Sequence, residues 1–334
     1  MSSSDLSPFT DILETPLTDA EQLITATTRC LLEDQAFVIV SGPDAHKFLQ
    51  GQLTCHLDEV TATHSVYGSY CTVQGRMITS FRIAQRADGA LLLRMHASVV
   101  DATIQTLKKY GVFSKVQIAV EPNWVALAVD GSSSRSLLEA APSAQNEAIA
   151  SGNSITIQTD ADGQRFEIWT ERDSAIATMN RLAQATAAPS AVWRLRNIRA
   201  GIGHVERASS DLFIPQMLNF QLTGFVHFKK GCYTGQEIVA RMQYLGKLKR
   251  HMHRFVLISD NTPAVGEDIA IAGQSQSIGN IVCVVAVGKG QYEALAVVTD
   301  DAMDNTSLHL RTQPQSAFRR LELPYAITVG SHKS

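Results

Sequence analysis

The strongest constraint in this chain is a change of pattern near position 248. From residue 250 onward, apolar and β-branched runs recur at 255–258, 268–272, 278–287, 292–298 and 307–311, separated by turn residues and without helical periodicity. Short strands at that spacing build a small closed barrel or a sandwich. Upstream, the pattern is mixed. The run 36–41 reads as a strand, and Gly42-Pro43-Asp44 then offers a turn and an N-cap for a helix over 44–53. Runs 65–73, 76–85 and 90–96 read as an antiparallel meander, with turns at Gln74-Gly75 and Asp88-Gly89. Apolar spacing over 98–110 gives a helix ending at Gly111. Strands follow at 115–120, 124–129, 155–158 and 166–169, with helices over 134–141, 173–185 and 190–200. The class is α+β, and the last boundary falls at 247–250.

With 334 residues, 45% hydrophobic and 18% charged, the chain has enough apolar material for two or three domains. Residues 1–10 are rich in Ser, hold little to bury and read as a frayed terminus. They lack the basic start and apolar core of a signal peptide, and no apolar run reaches spanning length, so a cytoplasmic protein is expected. Five scattered cysteines without a Cys-x-x-Cys pair argue against a disulfide framework and a self-contained metal cluster. A net charge of −3 argues against a protein that coats nucleic acid non-specifically.

Most motif candidates fail on chemistry. Asp160-Ala161-Asp162-Gly163 opens like a calcium loop, but Arg165 falls where that loop needs glycine, so a hairpin turn is the reading. His251 and His253 share a strand face without a third ligand nearby, and no metal site is assigned. Gly201-Ile202-Gly203 lacks the third glycine of a dinucleotide fingerprint. The segment Lys229-Lys230-Gly231-Cys232-Tyr233-Thr234-Gly235-Gln236-Glu237 is different. A helix beginning at Thr234 or Gly235, with Ile238, Met242 and Leu245 as its apolar stripe, puts Cys232 just ahead of a positive helix end. That end and the two lysines favour the thiolate, and the flanking glycines keep the sulfur approachable. A small buried cysteine ahead of a helix is the competing reading. Seven Lys or Arg residues between 229 and 254 face one acid, Glu237, which suits a polyanionic partner or a ligand carboxylate. Cys232, with Lys230 and Arg241 from the same segment, is the candidate catalytic group.

This nine-residue segment resembles the signature of the YgfZ family, relatives of the glycine-cleavage aminomethyltransferases. Phe213-Ile214-Pro215-Gln216, the run from Lys109 to Val116 and the run from Phe48 to Thr54 resemble that family in the expected order, from about Asp34 to Pro324. The resemblance implies two intertwined α+β subdomains over 19–247 and a β-barrel over 248–330, in a ring, after a flexible 1–18. It also implies tetrahydrofolate in a central cavity, and a role in keeping iron–sulfur enzymes active, among them one that thiomethylates tRNA. Contact with tRNA through 229–254 is a further expectation, and no membrane is involved.

Of two aromatic positions associated with folate in that family, one is matched by Trp193 and the other falls at Gln35. A flat indole stacks on a pterin or aminobenzoyl ring, and Gln216 offers both donor and acceptor to a pterin edge. Relatives often carry an acid where this chain has Arg199, which has no acceptor to offer. True aminomethyltransferases hold an acidic pair where this chain has Thr79 and Ser80. Two alternatives stay open: a folate-dependent aminomethyl- or methyltransferase, and a non-catalytic scaffold for iron–sulfur enzymes or tRNA.

Overall fold

The computed structural model describes residues 20–274, 276–303 and 307–327, so the expected flexible segment 1–18 lies outside the described residues. The chain divides into two compact units. Among the described residues, one comprises 20–50, 56–68 and 81–193, the other 51–55, 69–80 and those from 194 to 327.

In the first unit, helix α1 (Ala20–Thr25) leads into β1 (Thr28–Leu31) and β2 (Gln35–Ser41), followed by α2 (Ala45–Gln50). Next come β3 (Val66–Cys71), β4 (Met77–Gln85) and β5 (Leu91–His96), then α3 (Val100–Tyr110) and β6 (Gln117–Val120). Strands β7 (Trp124–Asp130), β8 (Ala148–Ser151), β9 (Ser154–Gln158) and β10 (Arg165–Glu171) are followed by α4 (Arg172–Arg181), β11 (Thr186–Ala187) and α5 (Ser190–Arg199). They form a six-stranded sheet in the order β11-β1-β7-β10-β9-β8 and a five-stranded sheet in the order β3-β4-β5-β2-β6. The unit boundary cuts β3 after Gly68, β4 after Ser80 and α5 after Trp193.

Strand β7 shows why the first unit holds. All seven of its residues are buried, and their period-two alternation splits them between two cores. Val125, Leu127 and Val129 join Phe166, Ala175 and Met179 on the side of α4. Trp124, Ala126 and Ala128 join Phe37, Leu92 and Trp169 on the side of the five-stranded sheet. The Trp169 indole N–H is not orphaned there, since it donates to Glu167 Oε2 at 2.8 Å. A burial of that size contributes about 3 kcal/mol or more, and truncation to Ala costs roughly 3–5 kcal/mol.

The second unit contains α6 (Gln236–Tyr244) and strands β12 (Arg250–Ile258), β13 (Asp268–Ile271), β14 (Gly279–Gly288), β15 (Gln291–Thr299), β16 (Leu308–Leu310) and β17 (Ala317–Leu321). Their sheet order is β16-β13-β14-β15-β12-β17. The two end strands are consecutive in the chain, and the Leu310 N–H donates to Ser316 Oγ at 2.7 Å within their connection, so the sheet nearly closes on itself. Its interior is apolar, with Phe255, Leu257, Ile269, Ile281, Ala294 and Leu310 at its centre. The sequence reading missed β17, because only Phe318 of its residues is buried and no alternation is visible.

Two other expectations change. The helix over 134–141 is a single 3₁₀ turn, Ser134–Leu137. Serine hydroxyls divert its backbone: Ser134 Oγ donates to Gln164 O and Ser136 Oγ to Ser133 O, both at 2.7 Å. Helix α2 stops at Gln50 rather than 53, because Leu53 pairs with Tyr70 as an antiparallel bridge. Asp160 caps a turn, its carboxylate accepting the N–H groups of Gln164 and Arg165. No helix of the described residues is long and apolar enough to cross a membrane.

Candidate functional site

The segment 229–237 lies in the second unit, and its own backbone and side chains fix its path. The Thr234 N–H donates to Gly51 O at 3.1 Å, and Thr234 Oγ1 donates to Gln52 Oε1 at 3.2 Å. Gln236 closes the turn, its N–H donating to Tyr233 O and its Oε1 accepting the Tyr233 N–H. Gly235 is the N-cap of α6 with φ +83°, and a Cβ there would lie 2.4 Å from Thr72 O and 3.2 Å from Cys71 Cβ. Only glycine meets both the left-handed backbone and that approach. Gly231, by contrast, faces open space.

Cys232 is exposed, whereas Cys30, Cys55, Cys71 and Cys283 are buried, and all five are free thiols. Lys230 is buried at 7% exposure. Its ammonium donates to Leu53 O at 2.6 Å and lies 5.0 Å from the centre of the Tyr233 ring. Burial raises the Tyr233 phenol well above its usual range, and the nearby Cys71 adds to this. Burial likewise pushes the Cys71 thiol up to about 12, against a small opposing effect of Ser69. The apolar stripe expected on α6 is corrected: Val239 is its buried residue, and Leu245, just past the helix end, is 78% exposed. Arg241 is exposed.

Gln216 is 3% exposed. Its Nε2 donates to Val239 O at 2.6 Å, which ties it to α6, while its Oε1 is buried without a hydrogen-bond partner. A buried amide oxygen left open is costly, and a ligand N–H is the kind of group that satisfies it. Cys232, Lys230, Arg241 and Gln216 thus belong to one unit, while Trp193 and Gln35 belong to the other. Trp193 is 5% exposed within the inter-sheet core, with the Arg165 guanidinium 4.4 Å above its ring. Gln35 is engaged on both sides: Oε1 accepts Arg94 Nη1 at 2.5 Å and Nε2 donates to Asp34 Oδ1 at 3.0 Å. Arg94 in turn is paired with Glu167 at 2.8 Å.

Sequence reasoning missed the partner of Arg199. Glu293, 5% exposed, accepts Arg199 Nη2 on Oε1 and Arg254 Nη2 on Oε2, each at 2.6 Å. The signal was present as the one acid within the apolar run of β15. Thr79 and Ser80 are buried and used internally. Thr79 Oγ1 donates to Ser80 O, and Ser80 Oγ accepts the Val205 N–H at 2.8 Å. His251 is tied to Asp300 at 2.7 Å, and no group of metal-binding side chains occurs among the described residues.

The model of the GCVT N-terminal domain family matches residues 28–189. Among solved structures, the glycine cleavage system aminomethyltransferase T from Bartonella henselae aligns with a TM-score of 0.69. It covers 92% of this chain and 89% of its own at 14% identity, so this chain has an aminomethyltransferase-like fold. The tRNA-modifying protein YgfZ of Yersinia enterocolitica is 32% identical over 320 residues, covering 92% of this chain and 97% of that protein. The same-named protein of Yersinia pseudotuberculosis is 32% identical over 303 residues, covering 89% and 92%. Identity at this level over nearly the full length of both chains makes this chain a member of the YgfZ family.

Proposed function

We propose that this chain supports tRNA modification by keeping an iron–sulfur tRNA-thiomethylating enzyme active, with tetrahydrofolate as its ligand and Cys232 as its working group. The observation that carries the reading is the exposed Cys232 thiol on a segment whose backbone is held on both sides, by Leu53 through Lys230 and by Gly51 through Thr234. A sulfur that is approachable yet fixed in position suits nucleophilic or redox chemistry. The relatives named as tRNA-modifying proteins support the tRNA part. The exposed cations Lys229, Arg241, Lys247 and Lys249 suit a contact with its phosphates.

For folate, the fit rests on Gln216. Its open Oε1 is an acceptor for a pterin N–H, while its Nε2 is already spent on α6. Trp193 and Gln35 are held by neighbours of their own within the other unit, and the proposed folate contact rests on Gln216 alone. Bound folate would supply a one-carbon carrier, and this chain's part is to hold it by Gln216. With Thr79 and Ser80 uncharged and used internally, the aminomethyltransferase alternative lacks its carboxylate base.

Two measurements test the reading. In cells lacking their own copy, the chain restores thiomethylated tRNA, and failure to do so removes the tRNA role. In calorimetry, tetrahydrofolate binds saturably and Gln216→Leu weakens it about tenfold, whereas no saturable heat with the wild type removes folate.

A further inference from the structure

The sequence run from Lys109 to Val116 has no part in the site just described, yet it is built with care. Gly111 C=O accepts the Ser114 N–H at 2.9 Å, which makes a β-turn with Val112 and Phe113 at its two corners. Those corners normally carry Gly, Pro, Asn, Asp or Ser. Here Phe113 is 101% exposed and Val112 71%.

The exposure is not that of a loose loop. Gly111 N–H caps α3 on Leu107 O at 2.9 Å, and the Lys115 N–H donates to Asp44 Oδ2 at 2.7 Å. On the far side, Gly42 has φ +107°, and a Cβ there would lie 2.4 Å from Lys115 O, so the turn sits directly against that backbone. The phenyl ring is therefore held out in solvent by a pinned backbone, with little entropy left to lose on binding. Lys108, Lys109 and Lys115 are exposed around it, Tyr110 is 43% exposed, and no acid occurs from 102 to 120. Beside the turn, a groove of about 370 Å³ is lined by Lys108, Val112, Val116 and Gln117.

We infer that the Gly111–Ser114 turn is a contact for unpaired RNA, with Phe113 stacking on an exposed base and Lys108, Lys109 and Lys115 on the flanking phosphates. An aromatic face beside cations is how single strands and loops are held without base-specific readout. Local positive charge on a chain of net charge −3 favours a polyanion over an apolar protein surface. The inference rests on the reading that this chain acts in tRNA modification and names where such an RNA touches it.

The test uses the full chain and a fluorescent RNA stem-loop with unpaired loop bases, read by anisotropy at several salt concentrations. The wild type binds with a log–log salt slope that includes about 2 from the three lysines. Phe113→Ala weakens binding about tenfold, with an unchanged Tm because the ring touches no core. Lys108→Gln with Lys109→Gln weakens it and flattens the slope by about 1.4. Equal affinity for wild type and Phe113→Ala overturns the contact, as does absence of binding by the wild type. If the wild type still restores tRNA modification in cells in that last case, the functional reading stands and the turn alone has failed. Unchanged RNA affinity in Phe113→Ala together with lost restoration assigns the turn to a protein partner and likewise overturns the RNA contact.

Discussion

Cys71 and Cys232 belong to the same unit and meet the same glycine, yet their sulfurs live in opposite surroundings. Cys71 Cβ lies 3.2 Å from where a Gly235 side chain would begin, 1% exposed, and burial pushes its thiol up to about 12. Cys232, three residues before that glycine, is exposed, next to a Gly231 that faces open space. The lesson is that cysteine chemistry here is set by the entry to α6. Gly235 lets the chain pass against the Thr72 carbonyl, which seals one sulfur and presents the other.

The largest expected effect is on thiol reactivity. Under native conditions at neutral pH, iodoacetamide should modify Cys232 at least about 100-fold faster than Cys71, and in denaturant the gap should shrink to a few-fold. Equal native rates, read by peptide mass spectrometry, would dissolve the comparison. Next in size is Gly235→Ala. A left-handed backbone costs an Ala roughly 1–2 kcal/mol, and the contact with Thr72 O adds strain, so about 2–4 kcal/mol of stability should be lost in urea unfolding. Gly231→Ala should stay within about 0.5 kcal/mol, since its Cβ meets nothing and its φ is not positive. A Gly231→Ala loss as large as that of Gly235→Ala would mean that the entry to α6 is not what is pinned.

Lys230→Met removes the donor to Leu53 O and the cation beside Tyr233 but keeps the aliphatic stem. A loss of about 1–2 kcal/mol is expected. The effect that is smallest at neutral pH is a pH dependence, which shows only on the alkaline limb. The folded Cys71 thiol, at about 12, holds its proton above the unfolded value near 9.0. Its contribution is therefore full below pH 9 and is lost as pH rises from 9 towards 12, by up to roughly 1.4 kcal/mol per pH unit. Cys71→Ala should flatten that alkaline limb, and an unchanged slope would show that the thiol is not sealed.

Much of the fold was legible in residue order. The switch from mixed elements to strands alone near 248 is seen in the nearly closed sheet from β12 to β17, and α3 ends at Gly111 as its spacing indicated. What failed did so where distant parts of the chain decide. Leu53 left its helix for Tyr70, Ser134 and Ser136 turned their hydroxyls on the backbone, and β17 carries two exposed arginines that hide its alternation. At the site, Cys232 stood out because glycines and lysines flank it. The engagement of Lys230 with Leu53, of Arg199 with Glu293 and of Gln35 with Arg94 could not be read, since each joins residues more than 50 positions apart.

The central claim is that the sulfur presented at residue 232 is what the chain works with, and the most direct measurement replaces each cysteine of the pair in turn. In cells lacking their own copy, thiomethylated tRNA is quantified by mass spectrometry after supplying Cys232→Ser or Cys71→Ser. The account predicts that Cys232→Ser folds with an unchanged Tm, because its side chain is exposed, yet restores less than about a tenth of the modification. Cys71→Ser should lower the Tm and still restore it. Full restoration by Cys232→Ser would contradict the account and leave a scaffold whose exposed thiol is idle.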